Sequence, residues 1–169
     1  MGRPPAAMAI DAALEAELAA LHPASFAWTL ACCGFRREEA EDVLQTAYLK
    51  ILDGRARFDG RASLKTWLFA VVRRTAIDAR RRNLVATLGL ERLFAARAPS
   101  PAETSGDAAE QAQVRRALGR LARRQREALE LVFYHDFTVE EAAQVMNVSV
   151  GAARVHYQRG KQRLGEILR

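Results

Sequence analysis

Long apolar runs are missing from this chain of 169 residues, although half of it is hydrophobic. No stretch approaches the ~20 apolar residues needed to cross a bilayer, so membrane insertion is not expected. The opening residues MGRPPAAMAI lack the apolar core of a secretory signal, and the expected location is cytoplasmic. Cysteine is nearly absent: Cys32 and Cys33 are adjacent, with no other thiol to pair with. A structural disulfide is therefore not expected, and neither thiol shows metal-ligand spacing to His22, His135 or His156; both read as small buried residues. A glycine-rich phosphate loop, a nucleophile beside a base and a metal-ligand cluster are also lacking. No catalytic residue, metal or cofactor is therefore expected, and the chain does not read as an enzyme.

Charge of one sign, by contrast, is plentiful in two places. The net charge is +6; Gly54 to Arg82 holds nine Lys and Arg against two acids, Arg115 to Arg169 eleven against six, and the remainder is acidic on balance. Two basic blocks separated by an acidic segment suit two contacts with one polyanion. The apolar spacing is helical throughout. Residues 1–10 read as a tail and 11–82 as a first helical domain, with Pro23 opening or ending a helix and Gly34 closing the segment. APSPAETSGDAAEQ lies within a Pro-, Ser- and Gly-rich linker over 83–111, in which Leu84 to Ala96 could form a short helix, and 112–169 reads as a second domain. The expected fold is all-α: two small helical domains on a flexible linker.

In the first domain, Arg37 to Leu52 starts with acids, as the helix dipole favours, and buries Ala40, Val43, Leu44, Ala47, Tyr48 and Ile51. Its opposite face presents Asp42, Gln45 and Leu49, a patch suited to docking on a partner protein or, more plainly, a lone surface leucine. The loop DGRARFDGRA, Asp53 to Ala62, combines glycines that permit close backbone approach with Arg55, Arg57 and Arg61 for phosphates, and with Phe58. Ser63 then caps a helix expected to end at Arg80-Arg81-Arg82, whose buried stripe is Leu64, Trp67, Leu68, Val71, Val72, Thr75 and Ala79. Trp67 stands at the edge of that stripe and reads as an anchor of the helix. Phe69, Arg73, Ile77 and Arg80 face away, flanked by Arg74 and Arg81. Cations beside flat apolar surface are what single-stranded nucleic acid binds, although a solvated basic face remains the plainer reading.

The second domain carries a helix over Arg124 to Tyr134 and then a helix-turn-helix pattern. Thr138 and Glu141 have capping-box spacing, Ala143 is small where two helices would cross, and Asn147 suits a left-handed turn before Ser149 caps the next helix. That second helix offers Gly151, Ala152, Val155, Gln158, Arg159 and Gln162 outward, with Arg154 and His156 at the edges. Arg can read guanine, Gln adenine, and Val155 a thymine methyl in the major groove.

Together the two halves resemble the sigma factors of bacterial RNA polymerase, of the compact extracytoplasmic-function (ECF) type in the sigma-70 family. Three stretches carry the resemblance: AEDVLQTAYLKI (Ala40 to Ile51), RFDGRASLKTWLFAVVRRTAIDARRR (Arg57 to Arg82) and LARRQREALELVFYHDFTVEEAAQVMNVSVGAARVHYQRGKQRL (Leu121 to Leu164). It implies a transcription initiation factor that binds core RNA polymerase through Asp42, Gln45 and Leu49. Arg55, Arg57, Phe58, Arg61, Phe69, Arg73, Arg74, Ile77 and Arg80 would then meet the melted, single-stranded −10 element. Ser149, Arg154, Val155, His156, Gln158, Arg159 and Lys161 would meet the duplex −35 element. It also implies an anti-sigma factor as a regulatory partner. The family often has Arg at the place of Ala70, Asn at that of Arg74 and a Thr-Val pair at Ala152-Ala153, so no promoter sequence carries over. Two other functions remain open from the residues: a sigma-like decoy that binds a regulator, and a stand-alone helix-turn-helix regulator of duplex DNA.

Overall fold

A computed structural model describes residues 12–90 and 107–169, and every regular element among them is helical. The expected tail and the middle of the expected linker lie outside the described residues. Helix α1 spans Ala12–Ala20 and α2 spans His22–Cys32. Pro23 sits in the first turn of α2, where its missing N–H costs nothing. After α2 the chain turns sharply through Gly34 and Phe35, at φ of 64° and 63°. Helix α3, Arg37–Leu52, carries Glu38 and Glu39 in its first turn and buries Ala40, Val43, Leu44, Ala47 and Ile51. Tyr48, expected in that stripe, is only half-buried.

Helix α4 spans Leu64–Leu90. Ser63 opens it by accepting the Thr66 N–H at 3.1 Å. The helix does not stop at Arg82 as expected. Nothing from Asn83 to Leu88 breaks a helix, so winding continues although Leu84, Val85 and Leu88 stand exposed.

The second group comprises α5 (Asp107–Gly119), α6 (Arg123–Leu129), a π-helical turn (Glu130–Tyr134), α7 (Val139–Met146) and α8 (Val150–Ile167). The single helix expected up to Tyr134 thus changes winding at Glu130, and the His135 N–H reaches back to the Glu130 carbonyl at 3.1 Å. The wider turn leaves Phe133 and Tyr134 exposed while His135 and Phe137 point inward. Thr138 and Glu141 form the expected capping box, Asn147 ends α7 in the left-handed conformation (φ 52°, ψ 54°), and Ser149 caps α8 by accepting the Ala152 N–H.

The two groups do not stand apart. One continuous core runs from Trp28, Leu68, Phe69 and Val72 to Leu131, Phe137, Val145 and Met146. α4 is its axis, packed against α2, α3 and α7. The apolar area that α4 and α7 bury against each other across the two halves favours the closed arrangement over two separated domains, at about 25 cal/mol per Å². A smaller cluster, Leu118, Leu121 and Leu129 with Leu164 and Ile167, ties α5, α6 and α8 together.

Candidate nucleic-acid and partner interface

On α3, Asp42, Gln45 and Leu49 are all exposed along one face, as their spacing requires. They do not act alone. Phe26, Arg37, Glu41, Tyr48 and Leu52 join Gln45 and Leu49 around an open groove of about 560 Å³ between α2 and α3. Leu49 and Leu52 are 51% and 56% exposed, so the groove presents apolar surface to solvent. The Tyr48 hydroxyl bridges to His22 Nδ1 at 3.2 Å and Ser25 Oγ at 3.1 Å, which fixes the wall shared by the two helices. Phe26, on another helix, is invisible to a periodicity argument confined to α3.

The loop between α3 and α4 holds its arginines in order. Arg55 pairs with Asp53 at 2.6 Å and Arg61 with Asp59 at 3.3 Å, while Arg57 Nε donates to the Gly54 carbonyl at 3.1 Å. The hydrogen bond from Arg55 holds the Asp53 carboxyl below its ordinary range. Such exposed pairs are weak, so they aim the guanidiniums without neutralising them against a phosphate. Gly54 and Gly60 both sit at φ 74°, a conformation that side chains disfavour.

The face of α4 expected to be open is largely closed, and Phe69 and Arg73 are the main corrections. Phe69 is fully buried. Trp28 of α2 stacks on it at 5.8 Å and 13°, and the Trp28 Nε1–H donates to the Phe69 carbonyl at 3.0 Å. His135 and Phe137 meet the same ring from the second half, each at 5.0 Å. Arg73 is buried as well, its Nε and Nη2 donating to Glu127 Oε2 of α6 at 3.1 and 3.0 Å. Ile77 and Arg80 are half-buried, and Arg80 donates to the Cys32 carbonyl. The physical reason is that α4 is enclosed by α2 and the second half on the side that its own apolar stripe left unassigned. Its solvent side carries Arg74 and Arg81, exposed, with Trp67 half-buried. Phe58, 37% exposed, lies against Trp67 with ring centroids 5.4 Å apart. Phe58 and Trp67 thus form a partly exposed aromatic pair, and Arg55, Arg57 and Arg61 stand in the same loop as Phe58. Trp67 packs against the core from the edge of the stripe, as expected of an anchor of α4, and meets Phe58 as well.

On α8, Ser149, Arg154, Val155, Gln158, Arg159 and Lys161 are exposed and His156 is half-buried. Arg154 makes a long, exposed pair with Glu140 of α7 at 3.5 Å. Beneath the helix, Ala153 and Gly160 are buried against the supporting helices, which fixes the rotation of α8 and thereby its outward face. Cys32 and Cys33 are buried free thiols, the latter pushed up to about 12 by burial. Among the described residues no group of His, Cys, Asp and Glu could hold a metal, and no helix is long and apolar enough to cross a membrane.

A helix-turn-helix with an exposed basic face, joined to a helical group that has its own basic loop and an open apolar groove, has the make-up of a DNA-binding protein with a surface for a protein partner. Comparison with known proteins narrows the class. Residues 24–84 match the family profile described as Sigma-70 region 2, and residues 111–164 that of Sigma-70, region 4. The RNA polymerase sigma factor CarQ of Myxococcus xanthus is 30% identical over 129 residues, 76% of this chain and 74% of that protein. The ECF RNA polymerase sigma factor SigF of Caulobacter vibrioides is 34% identical over 135 residues, 78% of this chain and 72% of its own. The sigma factor RpoE of Bartonella quintana, solved in complex with the anti-sigma factor NepR, superposes with a TM-score of 0.77 at 26% identity, over 92% of this chain and 96% of that one. The chain belongs to the sigma-70 family, as an ECF sigma factor of RNA polymerase. It is accordingly an alternative transcription initiation factor that binds core polymerase and promoter DNA, and not an enzyme.

Proposed function

We propose that the surfaces just described divide the work of initiation among themselves. Residues 11–82 act as the polymerase-docking and −10 unit, and 112–169 as the −35 unit. Asp42, Gln45 and Leu49, with the groove beside them, dock on the coiled coil of the polymerase's largest subunit. Arg55, Arg57, Phe58, Arg61 and Arg74 hold the melted −10 strand, with the Asp53 to Ala62 loop taking a flipped base and Trp67 added as an aromatic neighbour. Unstacking a base costs a few kcal/mol, which ring stacking and phosphate contacts offset. Ser149, Arg154, Val155, His156, Gln158, Arg159 and Lys161 face the −35 duplex. The protein acts in the cytoplasm, where polymerase works, and is held in check by an anti-sigma protein; the likeness over both halves to a sigma chain solved with NepR supports that partner.

The observation that carries this reading is the exposed row on α3, because a DNA-binding protein acting alone has no use for an apolar groove remote from its helix-turn-helix. Reconstitution with core polymerase on a genomic promoter library tests it. Wild type is expected to direct promoter-specific transcripts, and Leu49→Asp to lose polymerase binding with unchanged helicity. Equal transcription by the two proteins would overturn the docking assignment.

A further inference from the structure

The closed packing covers part of the surface that sigma function needs. α6 and the segment leading into α7 lie across the side of α4 that carries Phe69, Arg73, Ile77 and Arg80. What they place there is chemically specific. Glu127 offers one carboxylate oxygen to two nitrogens of the Arg73 guanidinium, an arrangement that a nucleic-acid phosphate would also satisfy. His135 and Phe137 bring rings to Phe69, as an unstacked base would. Lys65 closes the seam, donating to the His135 carbonyl and standing 4.6 Å from the Phe137 ring centre.

The same junction is electrostatically uncomfortable. Arg73 and Arg80 from α4 converge with Arg123 and Arg126 from α6, and Glu127 is the carboxylate that pairs with Arg73 at 3.0 Å and Arg123 at 3.7 Å. Arg126 is buried, yet its Nε has no hydrogen-bond partner. Burial and the neighbouring Arg80 pull its guanidinium below the ordinary value, against the partial relief of Glu127, Cys32 and Glu130. A cation surplus of this kind weakens the closed state and favours any polyanion that could replace Glu127.

We propose that the free chain is latched shut, with Glu127 standing in for a DNA phosphate on Arg73, and that single-stranded DNA competes with this carboxylate to open the junction between the two halves. The proposal deepens the −10 reading above and rests on it. Opening frees Arg73, Ile77 and Arg80, while Phe69 keeps its contact with Trp28.

Cys32 provides a reporter, since it lines the junction beside Arg73 and Glu127 and is buried in the closed form. In a full-length Cys33→Ala background, alkylation of Cys32 by N-ethylmaleimide measures opening once each rate is divided by the thiolate fraction from its own pH profile, because burial and Glu127 both raise the Cys32 thiol. Glu127→Gln is expected to raise that rate about tenfold or more, as befits a buried ion pair that loses one partner, with helicity by circular dichroism unchanged. It is also expected to tighten binding of a fluorescent, mixed-sequence single-stranded DNA oligonucleotide, relative to Glu166→Gln, which removes the same charge from an exposed site on α8. Independently of any change at Glu127, saturating oligonucleotide is expected to accelerate Cys32 alkylation in the Cys33→Ala protein. Identical rates for the Glu127→Gln and Glu166→Gln proteins, or no acceleration by the oligonucleotide, would overturn the latch. Neither measurement uses polymerase or a promoter. Unchanged rates would therefore remove the latch and leave the transcription assay standing, whereas a failed transcription assay would leave these rates as they are.

Discussion

Two buried groups one turn apart pull stability in opposite directions as pH changes. Burial raises the Glu130 carboxyl from 4.5 to about 7, against the partial relief of Arg126 and Arg115. Burial also lowers His135 from 6.5 to about 4, helped by Lys65 and opposed by Asp136. Glu130 binds its proton more tightly when folded, so its contribution is whole below about 4.5 and is lost as pH rises to about 7. His135 is neutral when folded, so stability grows as pH rises from about 4 to 6.5. Over the shared window the two slopes have opposite signs and largely cancel. Glu130→Gln is therefore expected to unmask His135, giving a protein whose urea midpoint climbs between about pH 4.5 and 6.5 while wild type stays nearly flat. A falling or flat midpoint in the variant would refute the pairing. Neither group could be singled out from its sequence, because both shifts arise from burial at a junction between distant segments.

Helix by helix, local chemistry was a good guide. The Thr138–Glu141 capping box, the left-handed Asn147 and the Ser149 cap appear where residue type demanded, since each depends on neighbours within four positions. The close crossing of α6 and α8 is a different matter. A Cβ at Gly160 would lie 3.0 Å from the Gln125 carbonyl and 3.1 Å from the buried Leu129 side chain, whereas one at Gly165 meets nothing within 4 Å. The helix gains roughly 0.5–1 kcal/mol from replacing either glycine by alanine. At Gly160 overpacking against rigid backbone, about 1–3 kcal/mol, outweighs that gain. Gly165→Ala should accordingly raise the melting temperature and Gly160→Ala lower it; a rise in both would mean that the helices separate at little cost.

For the whole molecule, the shared core matters more than the linker. Trp28 and Phe69 belong to one half and Leu131, Phe137 and Met146 to the other, yet they form one buried cluster. Cooperative unfolding follows from such sharing. Calorimetry of the full chain is expected to give one transition with equal calorimetric and van't Hoff enthalpies, and two resolved transitions would argue for independent halves. The same sharing sets the cost of opening the latch, which exposes part of this core as well as breaking the Arg73–Glu127 pair.

Composition, charge blocks and helical spacing determined by themselves that the fold is all-α, that the chain has two basic blocks, and that a helix-turn-helix occupies its second half. These follow from interactions between residues a few positions apart. Periodicity also exposed Asp42, Gln45 and Leu49 correctly, because α3 has one covered face. It failed at Phe69 and Arg73. A helical wheel separates the apolar side of α4 from the rest, but it cannot tell that Trp28 and Glu127, 41 and 54 residues away, lie on that other side. Only the tertiary structure decides which face of a central helix meets water, because burial there is set by long-range packing.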